Sequence, residues 1–186
     1  MPTQKMYLNW GTWINGLDLT GPTHGSEATM KIGGHSWSGY TAEARPILGF
    51  NNDGFSGQIV SVTLNLYATE TTAGSRIMAH RVIRASNANA VWNNSGVTDW
   101  AQAGCQSSLT DRSYTALFSE NYLMNTIGWH AIPIVEMVEF NLIISGIYTL
   151  ILLGSSTNYT AFISKTQVPY LAIEYTTSLV GGIQIF

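Results

Sequence analysis

The sequence predicts an all-β protein, an antiparallel two-sheet β-sandwich, jelly-roll-like, with long loops and at most one short helix. The stretch Ile59 to Tyr67 keeps strict period two, with Val60, Val62, Leu64 and Leu66 on one face and Ser61, Thr63, Asn65 and Tyr67 on the other. That pattern belongs to a half-buried antiparallel strand. Further short apolar segments share the habit, separated by turns rich in Gly, Pro, Asn and Asp. The alternation of strand and helix patterns that marks a parallel sheet is missing.

The elements follow in order. Tyr7 to Leu19 carries Trp10 and Trp13 between Gly11 and Gly16 and reads as one or two short edge strands; Thr20 to Ala28 is a loop by its Gly-Pro content. Met30 to Gly33 is a short strand, and the GGHSWSG run after it a turn that exposes His35 and Trp37. Pro46 to Phe50 is a core strand, closed by a turn at Asp53-Gly54. Ala68 to Ser75 turns the chain, so that Ile77 to Ile83 returns as the hairpin partner of Ile59 to Tyr67. A polar insertion, Asn87 to Tyr114, interrupts the pattern. Strands are expected again at Thr115 to Phe118 and at Gly128 to Ile134, the latter halted near Pro133. Val135 to Asn141 offers a helix of one or two turns, with Val135, Val138 and Phe140 inward. Ile147 to Leu153, Tyr159 to Ser164 and Pro169 to Tyr175 complete the sheets. Residues 1–27 thus form an N-terminal arm with edge strands, 28–176 the sandwich, and 177–186 an apolar C-terminal arm.

A chain of 186 residues suits one domain able to bury a core without disulfide or metal. Only 10% of residues are charged, against a usual quarter, so the surface is mostly neutral hydroxyl and amide. The eight basic residues are scattered, which disfavours nucleic acid as a partner; Arg76, Arg81 and Arg84 read as solvated strand flanks. Cys105 is the single cysteine, so neither an internal disulfide nor a thiolate metal cage is available. The start lacks a basic segment followed by an apolar one, the expectation being cytoplasmic synthesis without a signal peptide. The most apolar run, Leu142 to Gly154, is shorter than the ~20 residues a membrane helix needs, which disfavours a membrane partner.

The insertion holds the candidate ligand groups. Trp92 and Trp100 would stack on sugar rings beside Asn93, Asn94, Asp99 and Tyr114; the competing reading is that both tryptophans pin a long loop onto the sandwich. No cofactor is expected; Asp99 and Asp111 are a weak calcium pair, without ligand-loop spacing, and read first as turns and caps. His24, His35, His80 and His130 lack metal-ligand spacing and read as structural. His24 with Glu27 imitates an acid/base pair, but no nucleophile motif accompanies it, and Glu136 and Glu139 share one helix face toward solvent. A catalytic role is the least supported. Trp10 and Trp13, with the tail residues Leu179, Val180, Ile183, Ile185 and Phe186, form a candidate assembly interface.

Five stretches, RPILGFN from Arg45, IVSVTLNLYAT from Ile59, AVWNNSG with TDWAQAG, GWHAIPIVEMVE from Gly128, and FISKTQVPYLAIEY from Phe162, resemble the DNRLRE-type domain related to disaggregatases. The likeness spans roughly residues 28 to 176, with Asn51 and Ile132 where that family carries acidic residues. It implies a β-sandwich module of the kind found in surface proteins, polysaccharide-associated enzymes and phage structural proteins. Together these readings point to a non-enzymatic structural module, foremost a phage virion accessory such as a capsid decoration, fibre or tail-associated protein. It would be homo-oligomeric, docked on other virion or surface subunits through its terminal arms. The alternative is a carbohydrate-binding module recognising glycan through the Trp/Asn loop.

Overall fold

A computed structural model describes residues 1–17, 19–20, 23–37, 40–52, 58–118, 122–134, 146–154 and 159–176. Ten strands run through them: β1 (Thr3–Asn15), β2 (Thr29–Trp37), β3 (Tyr40–Asn52), β4 (Gln58–Thr71), β5 (Arg76–Arg81), β6 (Tyr122–Leu123), β7 (Gly128–Ile134), β8 (Gly146–Gly154), β9 (Tyr159–Ser164) and β10 (Tyr170–Thr176). Every strand pairing is antiparallel, and the described residues include no helix. The expected helix at Val135 to Asn141, with Glu136 and Glu139, lies outside the described residues, as do the turn at Asp53 and the tail residues Leu179, Val180, Ile183, Ile185 and Phe186.

The pairings close a ring of six strands, β1–β10–β4–β9–β2–β3 and back to β1. β8, β5 and β6 extend from β3, and β7 flanks β4. Two strands close the ring by changing partners midway. β1 pairs with β10 over Thr3 to Tyr7 and with β3 from Leu8 to Asn15, with a register shift between Leu8 and Trp10. β2 pairs with β9 up to Gly33 and with β3 from Gly33 onward, again across a shift. Gly33 takes φ +88° there, a left-handed value that glycine adopts without penalty.

The extra residue in β1, Asn9, inverts the strand's alternation. Before it Met6 faces the core and Tyr7 is exposed; after it Trp13 faces the core and Ile14 the opposite side. The second half of β1 is therefore buried on both faces. β3 and β8 are likewise two-sided. Leu48, Phe50, Leu150 and Leu152 fill the central core with Val62, Leu64, Leu66, Leu171 and Ile173 from the opposite strands. Ile47 and Ile151 point outward into a second cluster with Ile14, Val82, Ala90, Trp100 and Cys105.

Several expectations are corrected. The Tyr7 to Leu19 segment is not a pair of edge strands but part of one strand bonded to two partners. GGHSWSG is no turn up to Trp37, because β2 continues through it. β5 is not the hairpin partner of β4; the edges of β4 are occupied by β7, β9 and β10, so β5 pairs with β8 and β6. Thr115 to Phe118 forms no strand: Leu117 N–H donates to the Ala79 carbonyl at 2.8 Å, and burial of Leu117 and Phe118, not a ladder, anchors the segment. Val60 is 44% exposed, unlike Val62, Leu64 and Leu66 on its face. By contrast β7 and β9 have the expected bounds, and Pro133 sits in β7, which among the described residues pairs with β4 alone and so tolerates a residue without an amide proton.

Candidate functional surfaces

The Asn87 to Tyr114 insertion is the cover of the second cluster. Trp100 is 6% exposed and donates Nε1–H to the Val91 carbonyl at 3.0 Å. Trp92 is half-buried; the Arg45 guanidinium carbon lies 4.9 Å from its ring centroid, and Gly104 packs on its edge. Arg45 also donates to the Gly104 carbonyl at 2.5 Å and to Glu43 at 2.5 Å. The amides are committed too. Asn94 donates to Asp99 at 2.8 Å and accepts from Gly96 N–H at 2.7 Å, while the Asn93 backbone bonds Leu19 and Trp100. Of the expected sugar-stacking groups Trp92, Asn93, Asn94, Asp99 and Trp100, Trp100 is thus buried in the loop's underside, Trp92 is half-buried against Arg45, and Asn94 and Asp99 bond each other within the loop. Tyr114 is 76% exposed.

Asp111 is the hub of that loop. Its fully buried carboxylate accepts from Ala101 N–H at 2.8 Å, Gln102 N–H at 3.0 Å, Ser107 N–H at 3.3 Å and Arg84 Nε at 2.8 Å. Burial acts to raise its pKa, but these donors outweigh burial and hold it below the usual carboxylate value. Of the expected calcium pair, Asp111 is thus engaged by the Arg84 guanidinium and Asp99 by the Asn94 amide. Arg84 is corrected from a solvated flank to this ion pair. Among the described residues no three His, Cys, Asp or Glu side chains gather as a metal site.

Trp13, expected at an assembly interface, is 2% exposed; it stacks on His24 at 3.7 Å between centroids and donates Nε1–H to Glu27 at 2.8 Å. The bulge carries it inward. His24 Nδ1 meets the other Glu27 oxygen at 2.6 Å. Burial acts to raise the Glu27 pKa, and the two hydrogen bonds outweigh it. Lys165 Nζ donates to the carbonyls of Gly25 at 2.6 Å and Gly11 at 3.3 Å, tying the segment between β9 and β10 to this corner. His80 and His130 serve structurally as expected: His80 Nδ1 bonds the Ser113 carbonyl at 3.0 Å, His130 Nε2 the Thr126 carbonyl at 2.7 Å.

A surface that periodicity had not singled out lies on the outer face of β7, β4, β10 and β1. Tyr67 pairs across strands with Trp129, and Tyr170 with Tyr7. Ring centroids are 5.5 Å apart for Tyr67–Trp129, 5.7 Å for Trp129–Tyr170 and 5.7 Å for Tyr170–Tyr7, and Lys5 lies 4.6 Å over Tyr170. Trp129 and Tyr7 remain about half exposed, while Asn65, Thr63, Ala131 and Ala172 share the face. The signal was present as the outward residue of each alternating strand, but only the pairing of four non-consecutive strands brings the rings together.

Fold and surface together define an antiparallel all-β protein with a ring-closed sheet, a loop-covered back and an aromatic front. Neither a family model nor a curated protein matches the chain.

Proposed function

We propose that this chain is a non-enzymatic structural and interaction module whose contact surface is the aromatic row Tyr67–Trp129–Tyr170–Tyr7. The single observation that carries the reading is the row itself: four rings in successive contact, two of them half exposed, on a sheet face shared with Lys5, Glu174 and small or amide side chains. Single exposed apolar residues are ordinary, but contiguous aromatic surface marks a binding face.

The finer architecture belongs to the same proposal. A two-sheet, jelly-roll-like sandwich is supported by β1 and β2, each of which changes partner at a register shift, as strands do when they pass between sheets. The resemblance to the DNRLRE-type domain and the role of a phage virion accessory at the outside of an assembly rest on the quoted motifs and on the low charge of the chain. With Trp13 buried, docking falls to the aromatic row and to residues 178–186. Light scattering of the chain, of a version ending at Thr177, and of a Tyr7→Ser/Trp129→Ser double variant tests this. Self-association lost in the double variant without a change in melting temperature supports the row; association indifferent to it sinks the reading.

A further inference from the structure

We infer that the outer edge of β7 is a strand-pairing site whose partner is the same edge of a second copy of this chain, an inference that deepens, and rests on, the reading of the aromatic row as a contact surface. Alternation fixes which backbone groups line that edge. Leu8 N–H donates to the Pro169 carbonyl and Tyr175 N–H to the Pro2 carbonyl, so the odd-numbered residues of β10 bond toward β1. Its even-numbered residues Tyr170, Ala172 and Glu174 then bond their partners Asn65, Thr63 and Ser61 in β4. Val62, Leu64 and Leu66 are left to bond Ile134, Ile132 and His130 of β7. The far edge of β7 therefore carries the amides and carbonyls of Trp129 and Ala131 and the carbonyl of Pro133, and among the described residues no strand pairs with it. Pro133 belongs to this set, where a missing amide costs the sheet no hydrogen bond.

The edge is also unguarded by charge. β7 contains no Lys, Arg, Asp or Glu, the residues that commonly keep an open edge from pairing, and the charged neighbours of the row, Lys5 and Glu174, stand on β1 and β10. Trp129 is half exposed, and Ala131 and Pro133 are exposed. Two β7 strands laid antiparallel about a two-fold axis at His130 set Trp129 of each copy opposite Ala131 of the other, a large side chain beside a small one. The amides and carbonyls of those residues complete a ladder between the copies, and Pro133 lies just past its end, where no amide is called for. The Trp129 rings of the copies become diagonal neighbours, about 7–8 Å apart along the backbone and within reach of aromatic side chains, so the row Tyr7–Tyr170–Trp129 runs on into that of the second copy. No like charges meet along the seam. The match of Trp129 to Ala131 is a property of β7 paired with itself, which favours a second copy over an unrelated extended segment. The pairing needs neither terminal arm, and because a two-fold contact consumes the edge of both copies it closes at a dimer.

The test is light scattering of the full chain over a concentration series, with amide hydrogen exchange read by NMR at the same concentrations. A dimer is expected, and the Trp129 and Ala131 amides should gain at least tenfold protection between the dilute, monomeric sample and the concentrated one. Ala131→Pro removes an amide that lies outside the β4 ladder, and Ala131→Lys brings like charges to the seam. Each is expected to weaken association tenfold or more, with the melting temperature unchanged at a dilution where the chain is monomeric. Three results overturn the inference: a chain that stays monomeric, edge amides protected equally at every concentration, or both Ala131 variants associating as the unaltered chain does. If both Ala131 variants associate while Tyr7→Ser/Trp129→Ser does not, the seam is wrong and the row stands as a face. If Ala131→Lys abolishes association and Tyr7→Ser alone leaves it intact, the seam stands and the reading of the whole row as the contact surface is wrong.

Discussion

At the scale of single residues, three buried groups carry chemistry that the fold has turned to structural use. His80 is 5% exposed, and burial first, then the nearby Arg112 charge, push its pKa down to about 4, partly offset by backbone hydrogen bonds. Its folded value lies below the ordinary 6.5, so the unfolded chain binds the proton first. Stability is therefore complete above pH 6.5 and falls between 6.5 and about 4, by up to ~1.4 kcal/mol per pH unit. Melts at pH 7 and pH 5 should show this slope, flattened in His80→Gln. Asp111 has a depressed value as well, so its contribution persists above the ordinary 3.8 and is lost only as pH falls through its lower folded value. Asp111→Asn leaves Arg84 without its partner, and because Arg84 is 25% exposed the expected loss is about 3 kcal/mol, at the low end for a broken buried pair. Denaturant unfolding at pH 7 measures it. Cys105, its thiol pushed up to about 12 chiefly by burial, should resist alkylation in the native protein and react once it is unfolded, as read by mass spectrometry.

At the scale of elements, the insertion and the β1 bulge matter most. The insertion is built around close approaches: Gly104 has φ +76°, and a Cβ there would lie 2.7 Å from the Trp92 ring. Trp100 plugs the second cluster against Ile14, Ile47 and Ile151. Trp100→Ala should cost about 3–5 kcal/mol in chemical denaturation, the range for removing a buried aromatic, because the sheet beneath would lose its cover. This is the outcome that separates a pinning tryptophan from a ligand-stacking one. The bulge decides which way Trp10 and Trp13 point, and a single extra residue inverts the whole second half of β1. No alternation read along Tyr7 to Leu19 reveals such an inversion, which is why Trp13 reads as a surface residue in one dimension and is a core residue in three.

At the scale of the molecule, three of the described tryptophans fall at two extremes. Trp13 and Trp100 stabilise, whereas Trp129 belongs to a surface. Trp129→Ser should shift the melting temperature little while weakening whatever the row binds. The closed ring supplies the rigidity for this: β4 and β10 are paired on both sides, so the rings of Tyr67 and Tyr170 stand on strands held from both edges.

The sequence by itself determined the strands whose alternation is regular, β4, β7, β9 and β10, because alternation of apolar and polar side chains follows directly from the two-residue repeat of a strand. It also marked Asn87 to Tyr114 as an insertion, with anchoring by its tryptophans as one of two readings, since a long polar excursion needs apolar residues to hold it. Only the tertiary structure decided which strands pair, and hence that four rings from β7, β4, β10 and β1 meet. Pairing partners are chosen by long-range burial and edge satisfaction, which leave no local mark on the chain. The same holds for Asn9. A bulge is a mismatch between two strands, and neither strand alone records it.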